Sequence, residues 1–262
     1  MPAVMSLPAR IDAVRLGVAD LEAARAFYGA LGWRAQGDRY PLVGAALELV
    51  DGGERVTLVA GADDAAGALA AALDAGASPD GDGFRDPSEL AWRIAPPRAE
   101  GAGGWEAETA DGGADADALL PRLSAITRAC DDVLALRDFY EALGWHTPME
   151  RREDIAQFQT ETGVFSTWIA GEAVAEVGEP LAAHGFGFTG VTLAVAAEAP
   201  EGVDTGIARA AAAGATVLVE PEDTWWGGRS GYFADPSGTP WEVVHIPSAH
   251  IDEHGLLRLG AP

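Results

Sequence analysis

The residues with the means to do chemistry are densest between Thr224 and Val244, in the run TWWGGRSGYFADPSGTPWEVV. Glu242 is foremost among them. It lies in an apolar stretch, Trp241 to Ile246, that alternates as a strand does, so its carboxylate points opposite to Trp241 and Val243. Such a group belongs either at a solvated edge or in a site. In a site it can accept hydrogen bonds, serve as a counter-ion, or act as a base with a raised pKa. Trp225 and Trp226 lie upstream beside Gly227 and Gly228. Adjacent tryptophans must point different ways, so one of the pair is left partly exposed. It can pack, or it can stack on a planar or cationic group. Arg229 can hold the loop through an acid or recognise a ligand.

Two strands and a turn must position these groups. Tyr232 and Phe233 lie on the first strand, Asp235-Pro236-Ser237-Gly238 makes a tight turn, and Glu242 lies on the return strand. A hairpin is therefore expected.

At 262 residues the chain is long enough for two domains of ordinary size. It has no apolar run of membrane-span length, and its start lacks the pattern of a signal peptide, so a cytoplasmic protein is expected. Cys130 is the single cysteine; one cysteine makes no internal disulfide, and a core role is expected for it. There are 41 acidic against 17 basic residues, every basic residue is Arg, and the formal net charge is -24. Such a surface repels nucleic acid and anionic lipid and would concentrate cations near any cleft; on charge alone, solubility or adaptation to high salt is the preferred explanation over a cationic ligand.

The chain repeats itself. DLEAARAFYGALGW at Asp20 to Trp33 recurs as DVLALRDFYEALGW at Asp132 to Trp145, each after an apolar run of strand length, Ile11 to Val18 and Leu123 to Cys130. Asp20 and Asp132 stand where an N-cap belongs, and Gly32 and Gly144 where a helix ends. Leu21 or Val133, Ala24 or Leu136, Tyr28 or Tyr140 and Leu31 or Leu143 make one buried face. In the second half, strands are expected at Ile155 to Thr160, Val164 to Ala170, Val191 to Val195 and Thr216 to Glu220. A helix is expected at Val203 to Ala213 and an acidic loop at Glu172 to Gly187. The first half shows the same order in shorter form, with DPSELAWRI at Asp86 echoing DPSGTPWEV, and SPDGDG in place of the tryptophan loop. The expected division is 8–98, a linker rich in Gly, Ala and acid at 99–121, 122–250, and a tail at 251–262.

These motifs together resemble the vicinal oxygen chelate superfamily, the glyoxalase, bleomycin-resistance and extradiol dioxygenase proteins. The resemblance implies an α+β fold in which pairs of βαβββ modules form half-barrel sheets, here two such units in tandem, the first degenerate. Metal-using members place a His or Gln on a module's first strand and a Glu on its last. The matching positions are Ala125, Gly190 and Glu242 in the second half, and Ala13, about Arg55 and Arg93 in the first. Only Glu242 is a normal ligand, so no cofactor is expected, with a divalent metal held by other residues as the alternative. His245 is on the opposite parity to Glu242. Arg93 on a strand where the family carries Glu reads as solvent-facing, or as the mark of an anion-binding pocket.

From those positions, alternation puts Thr127 with Ala125 and Ala129, and Thr192 with Gly190 and Ala194, on a floor of small residues. Gln157 and Gln159 line it, and Trp168, Trp226 and Tyr232 close it. Glu242 completes the set as ligand group or catalytic base. The reading is a metal-independent small-molecule binding protein of the drug-sequestering type, for a cationic or aromatic ligand, acting as a monomer or homodimer. The alternative is an enzyme of the same fold, a lyase, isomerase or dioxygenase, using Glu242 as base or metal ligand.

Overall fold

The computed structural model describes residues 6–53, 55–97 and 119–260. All but the last three residues of the expected linker fall outside them. Each half opens on a strand and a capped helix: β1 (Ile11–Val18) and α1 (Leu21–Ala30), then β8 (Ala125–Cys130) and α3 (Val133–Ala142). Asp20 and Asp132 each accept a hydrogen bond from the backbone N–H three residues on, at 2.9 Å in both copies, satisfying a donor that the first turn would otherwise leave open.

The first unit continues through β2 (Arg39–Tyr40), β3 (Ala46–Asp51), β4 (Val56–Gly61), α2 (Ala65–Asp74), β5 (Ser78–Asp80), β6 (Gly83–Arg85) and β7 (Ala91–Ala95). The second has β9 (Ile155–Thr160), β10 (Gly163–Ile169), β11 (Val191–Ala196), α6 (Pro200–Ala212), β12 (Thr216–Asp223), β13 (Arg229–Ala234) and β14 (Pro240–His245). Each unit forms one seven-stranded sheet, in the orders β2-β3-β1-β4-β7-β6-β5 and β9-β10-β8-β11-β14-β13-β12. The orders correspond strand for strand. The first unit has thus lost no strand of the plan. It is shorter at β2, β5 and β6, and SPDGDG, far from being a mere gap, supplies the β5–β6 hairpin.

Two further expectations are corrected. The stretch 172–187 is not a loop: it contains α4 (Ala170–Ala173), a π-helical turn (Val174–Gly178) and α5 (Glu179–Ala183). Ala173, Val177 and Leu181 recur every four residues and are buried, and that spacing supplies the helix its apolar face. The stretch 251–262 is not merely a tail, because β15 (Ala249–Ile251) pairs with β16 (Leu257–Leu259) and Leu257 is buried.

One hydrophobic core joins both units. Each repeated helix packs on the last hairpin of the other unit: Phe27 against Phe233 and Trp33 against Trp241, then Phe139 against Phe84 and Trp145 against Trp92. Cross-unit hydrogen bonds follow the same pattern. Tyr28 Oη donates to Asp235 in one turn and Tyr140 Oη to Asp86 in the other. Arg55 donates to the Gly187 and Ser237 carbonyls, and Arg128 to Ser88. The sheet faces turned away from this core are the concave ones. Among the described residues no helix is long and apolar enough to cross a membrane.

Candidate functional site

Strand register decides which side chains share the concave face of the second unit. One row runs Gln157–Ser166–Thr127–Thr192 across β9, β10, β8 and β11. The next runs Gln159–Val164–Ala125–Ala194–Glu242–Tyr232, reaching β14 and β13. Trp168 lies on the same face beside Ala129. Seven of the eight expected residues are therefore brought together. Trp226 is not: Arg229, at the root of its loop, pairs with His245, three pairs beyond Tyr232 and Glu242, about 10 Å along the strands. Its ring lies where a Cβ on Gly228 would stand, and Trp225 beside it is 91% exposed. Arg229 holds this loop through Asp204 and Asp223 at 2.7 and 2.9 Å.

Around Glu242 the face turns acidic. Tyr232 Oη is 2.7 Å from Glu176 Oε1 and 3.2 Å from Glu242 Oε1, so a single phenolic proton stands between two carboxylates. Burial pushes the Glu242 carboxyl up to about 7; the Glu176 charge adds to this, and the Tyr232 hydrogen bond opposes it. The phenol is itself pushed well up, first by burial and then by the Glu242 and Glu176 charges, so it stays protonated. Near neutral pH, Glu242 is the group of this set that exchanges a proton. Glu176 carries no sequence motif. The apolar period of Val174, Val177 and Leu181 is the signal that would have placed it on a helix packed over β12 and β13.

The two segments that depart from expectation cover this face. α5 and the π-helical turn pack Val177 and Leu181 on Tyr232 and Ala234. The β15–β16 hairpin packs Leu257 with Val164 and Ala196, flanked by Ala125. Gln159 is drawn into that hairpin: its Oε1 accepts from Leu259 N at 2.9 Å, and its Nε2 reaches the Leu257 and Gly163 carbonyls. Its amide is thus spent on structure, which corrects its assignment to a ligand. Trp168 Nε1 donates to Glu172 at 2.9 Å. Gln157 and Thr127, half-buried, remain between the two covers with Ser166 and Thr192 behind them.

The fold family implies a divalent ion held by matching positions on this face. Ala125 and Glu242 flank Ala194, while Gly190 and Trp168 flank Ala129, so these four form the pseudo-symmetric set. In the first unit the same register gives Ala13 and Arg93 about Val59, and Arg55 and Val50 about Gly17. Alanine, glycine, valine, tryptophan and arginine offer a divalent ion no ordinary ligand. Gly190 has φ 76°, and the Arg128 guanidinium occupies the place of its Cβ, so no side chain fits there. His245 contacts the Ala197 carbonyl on the opposite face, and His184 caps the exposed end of α5. Among the described residues no three His, Cys, Asp or Glu side chains converge. The residues present do not fit the metal.

Residues 122–243 match the family described as Glyoxalase/Bleomycin resistance protein/Dioxygenase superfamily. No curated protein matches the chain in sequence. The 2,3-dioxygenase LapB from Pseudomonas sp. KL28 superposes with a TM-score of 0.59 at 15% identity, covering 92% of this chain and 93% of that one. The Mn(II)-bound glyoxalase from Novosphingobium aromaticivorans gives 0.60 at 14%, covering 98% and 88%. A homoprotocatechuate 2,3-dioxygenase from Brevibacterium fuscum gives 0.62 at 15%, covering 93% and 73%. At these identities the structures establish the shared fold. The second unit, residues 122–243, therefore matches this family in sequence, and the chain as a whole shares the fold of these proteins as two tandem half-barrel units.

Proposed function

We propose that this chain is a small-molecule binding protein that works without a metal, with its site on the concave face of the second unit. One observation carries the reading: Glu242 and Glu176 converge on Tyr232 beside Thr127, Thr192 and Gln157. Two carboxylates a phenol apart repel each other, and a cationic ligand relieves that repulsion while the hydroxyls and the amide orient it. Trp168 supplies an aromatic face one row beyond Thr127 and Gln157. This is the chemistry of a protein that sequesters cationic or aromatic drugs, in the cytoplasm, as a monomer or homodimer. Calorimetric titration with bleomycin and a panel of cationic aromatic antibiotics tests it. Saturable binding weakened about tenfold or more by Glu242→Gln supports the reading. Binding that is absent, or indifferent to both Glu242→Gln and Trp168→Ala, overturns it.

A second reading rests on the Glu242 carboxyl standing near 7. A base poised there removes a proton from an activated carbon next to a carbonyl, with the protonated Tyr232 beside it as donor. Deuterium uptake from D2O into α-hydroxy ketones, followed by NMR and lost in Glu242→Gln, distinguishes this from simple binding.

A further inference from the structure

Arg93 occupies on β7 the register position that Glu242 occupies on β14. The sign of the charge is reversed. Six more charged residues surround it on the concave side of the first unit. On one wall Glu48 of β3 accepts from Arg15 Nε of β1 at 2.8 Å and from Arg39 of β2. On the other, Asp80 of β5 lies 3.3 Å from Arg93 and 3.2 Å from Arg85, and Asp82 lies 3.1 Å from Arg93. Each wall is thus an arginine–carboxylate–arginine group. Asp82, whose side chain is 89% exposed, adds a solvated charge to the second wall. Between the walls Ala13, Ala46 and Val59 are small and buried, so the guanidinium groups make the accessible surface.

In a chain of net charge -24, four of its 17 basic residues stand on this one face. A guanidinium carries five N–H donors in a fixed fork. Arg93 meets Asp82 through Nε and Asp80 and the Trp92 carbonyl through Nη1, so Nη2 is the end it can present to a second anion, while Arg15 meets Glu48 through Nε. The Arg15 and Arg39 side chains are 42% and 36% exposed and can be reached from solvent. Gly83 matters here. A Cβ on it would meet the Trp92 carbonyl oxygen at 1.9 Å and lie 3.1 Å from Arg93 Cδ, so the glycine keeps β6 close against β7 where Arg93 crosses toward Asp80. β3 and β7 are three strand spacings apart, about 14 Å before curvature, a gap that two arginine side chains narrow to the length of a short dianion.

We propose that the concave face of the first unit is a second binding site, taking a small molecule with two anionic groups, one held at Arg15 and Arg39 and the other at Arg93. The two units then bind ligands of opposite charge. Calorimetric titration of the full chain at low ionic strength with malonate, glutarate and adipate, and with acetate as control, tests the site. Saturable binding of at least one dicarboxylate is expected, weakened about tenfold by Arg93→Gln or by Arg15→Gln and changed less than about twofold by Glu242→Gln. Both arginine variants are to melt with the wild type, so that a loss reports the site and not unfolding. If either melts early, glutarate protection of Arg15 and Arg93 from phenylglyoxal in the wild type decides. Heats no larger than those of acetate, binding untouched by both variants, or no protection overturns the proposal.

Discussion

Tyr28 Oη donates to Asp235 Oδ2 at 2.6 Å across the boundary between the units, and Tyr140 repeats the bond to Asp86 at 2.7 Å. In each turn the other aspartate oxygen accepts from the serine N–H and hydroxyl two residues on, and from the N–H four residues on. The DPS turns are therefore buried carboxylates whose last acceptor site is filled by the partner unit's helix. Burial and the adjacent aspartate push both phenols well up, so each stays a donor.

Tyr28→Phe removes the donor and leaves Asp235 one bond short in a buried place. A loss of about 1–3 kcal/mol is expected, and the same for Tyr140→Phe. The bonds share no partner, so the double variant should lose about the sum. Urea unfolding curves check this, with m unchanged.

The pH dependence of stability has a definite sign. Glu242 stands at about 7 in the folded protein against an ordinary 4.5, so between those values the folded state holds a proton that the unfolded state has released. The penalty is absent below about 4.5, grows as pH rises, and is complete above about 7. Glu242→Gln should flatten this window and leave the protein more stable than wild type at pH 8 by on the order of 1 kcal/mol, since the side chain is only part-buried. Denaturant midpoints from pH 5 to pH 8 read it directly.

The parts legible in the sequence were those written by period and punctuation. Asp20, Asp132, Gly32 and Gly144 marked helix ends, and alternation placed Thr127 and Thr192 on one floor and turned Glu242 away from Trp241 and Val243, because those signals are local. The missing information was long-range. Nothing near Gln159 shows that Leu259, 100 residues on, will take its amide. Nothing near Tyr232 announces Glu176, and the helical period of 174–181 was hidden by flanking acids and glycines. The register that equates Trp168 with Glu242, and Arg93 with Glu242, becomes readable only once the strands are paired.

Supplying a metal should change nothing. Titration with zinc, nickel or manganese is expected to leave the melting temperature within error, because one carboxylate of the family set binds such ions weakly. Ala125→His alone should not create a tight site. Gly190→His should instead destabilise by about 1–3 kcal/mol, since it forces a left-handed backbone on histidine and displaces Arg128. Thermal melts with and without metal separate the three cases.

The β15–β16 hairpin covers the concave face of the second unit. Leu257 is 3% exposed and closes an apolar cluster with Val164 and Ala196 on the concave face. Leu257→Ala should cost about 2–4 kcal/mol if the hairpin is an integral wall, because its cavity cannot collapse against paired strands. If the hairpin lifts instead, the loss is smaller and the face opens: Gln159 loses its bonds to Leu257 and Leu259, and the apolar floor becomes wet. Amide hydrogen exchange at Leu259, whose N–H is donated to Gln159, tells these apart. Exchange at the rate of global unfolding identifies a wall. Exchange faster than the core strands, with stability falling by under about 1 kcal/mol, identifies a cover that parts from the site while the sheet stays folded.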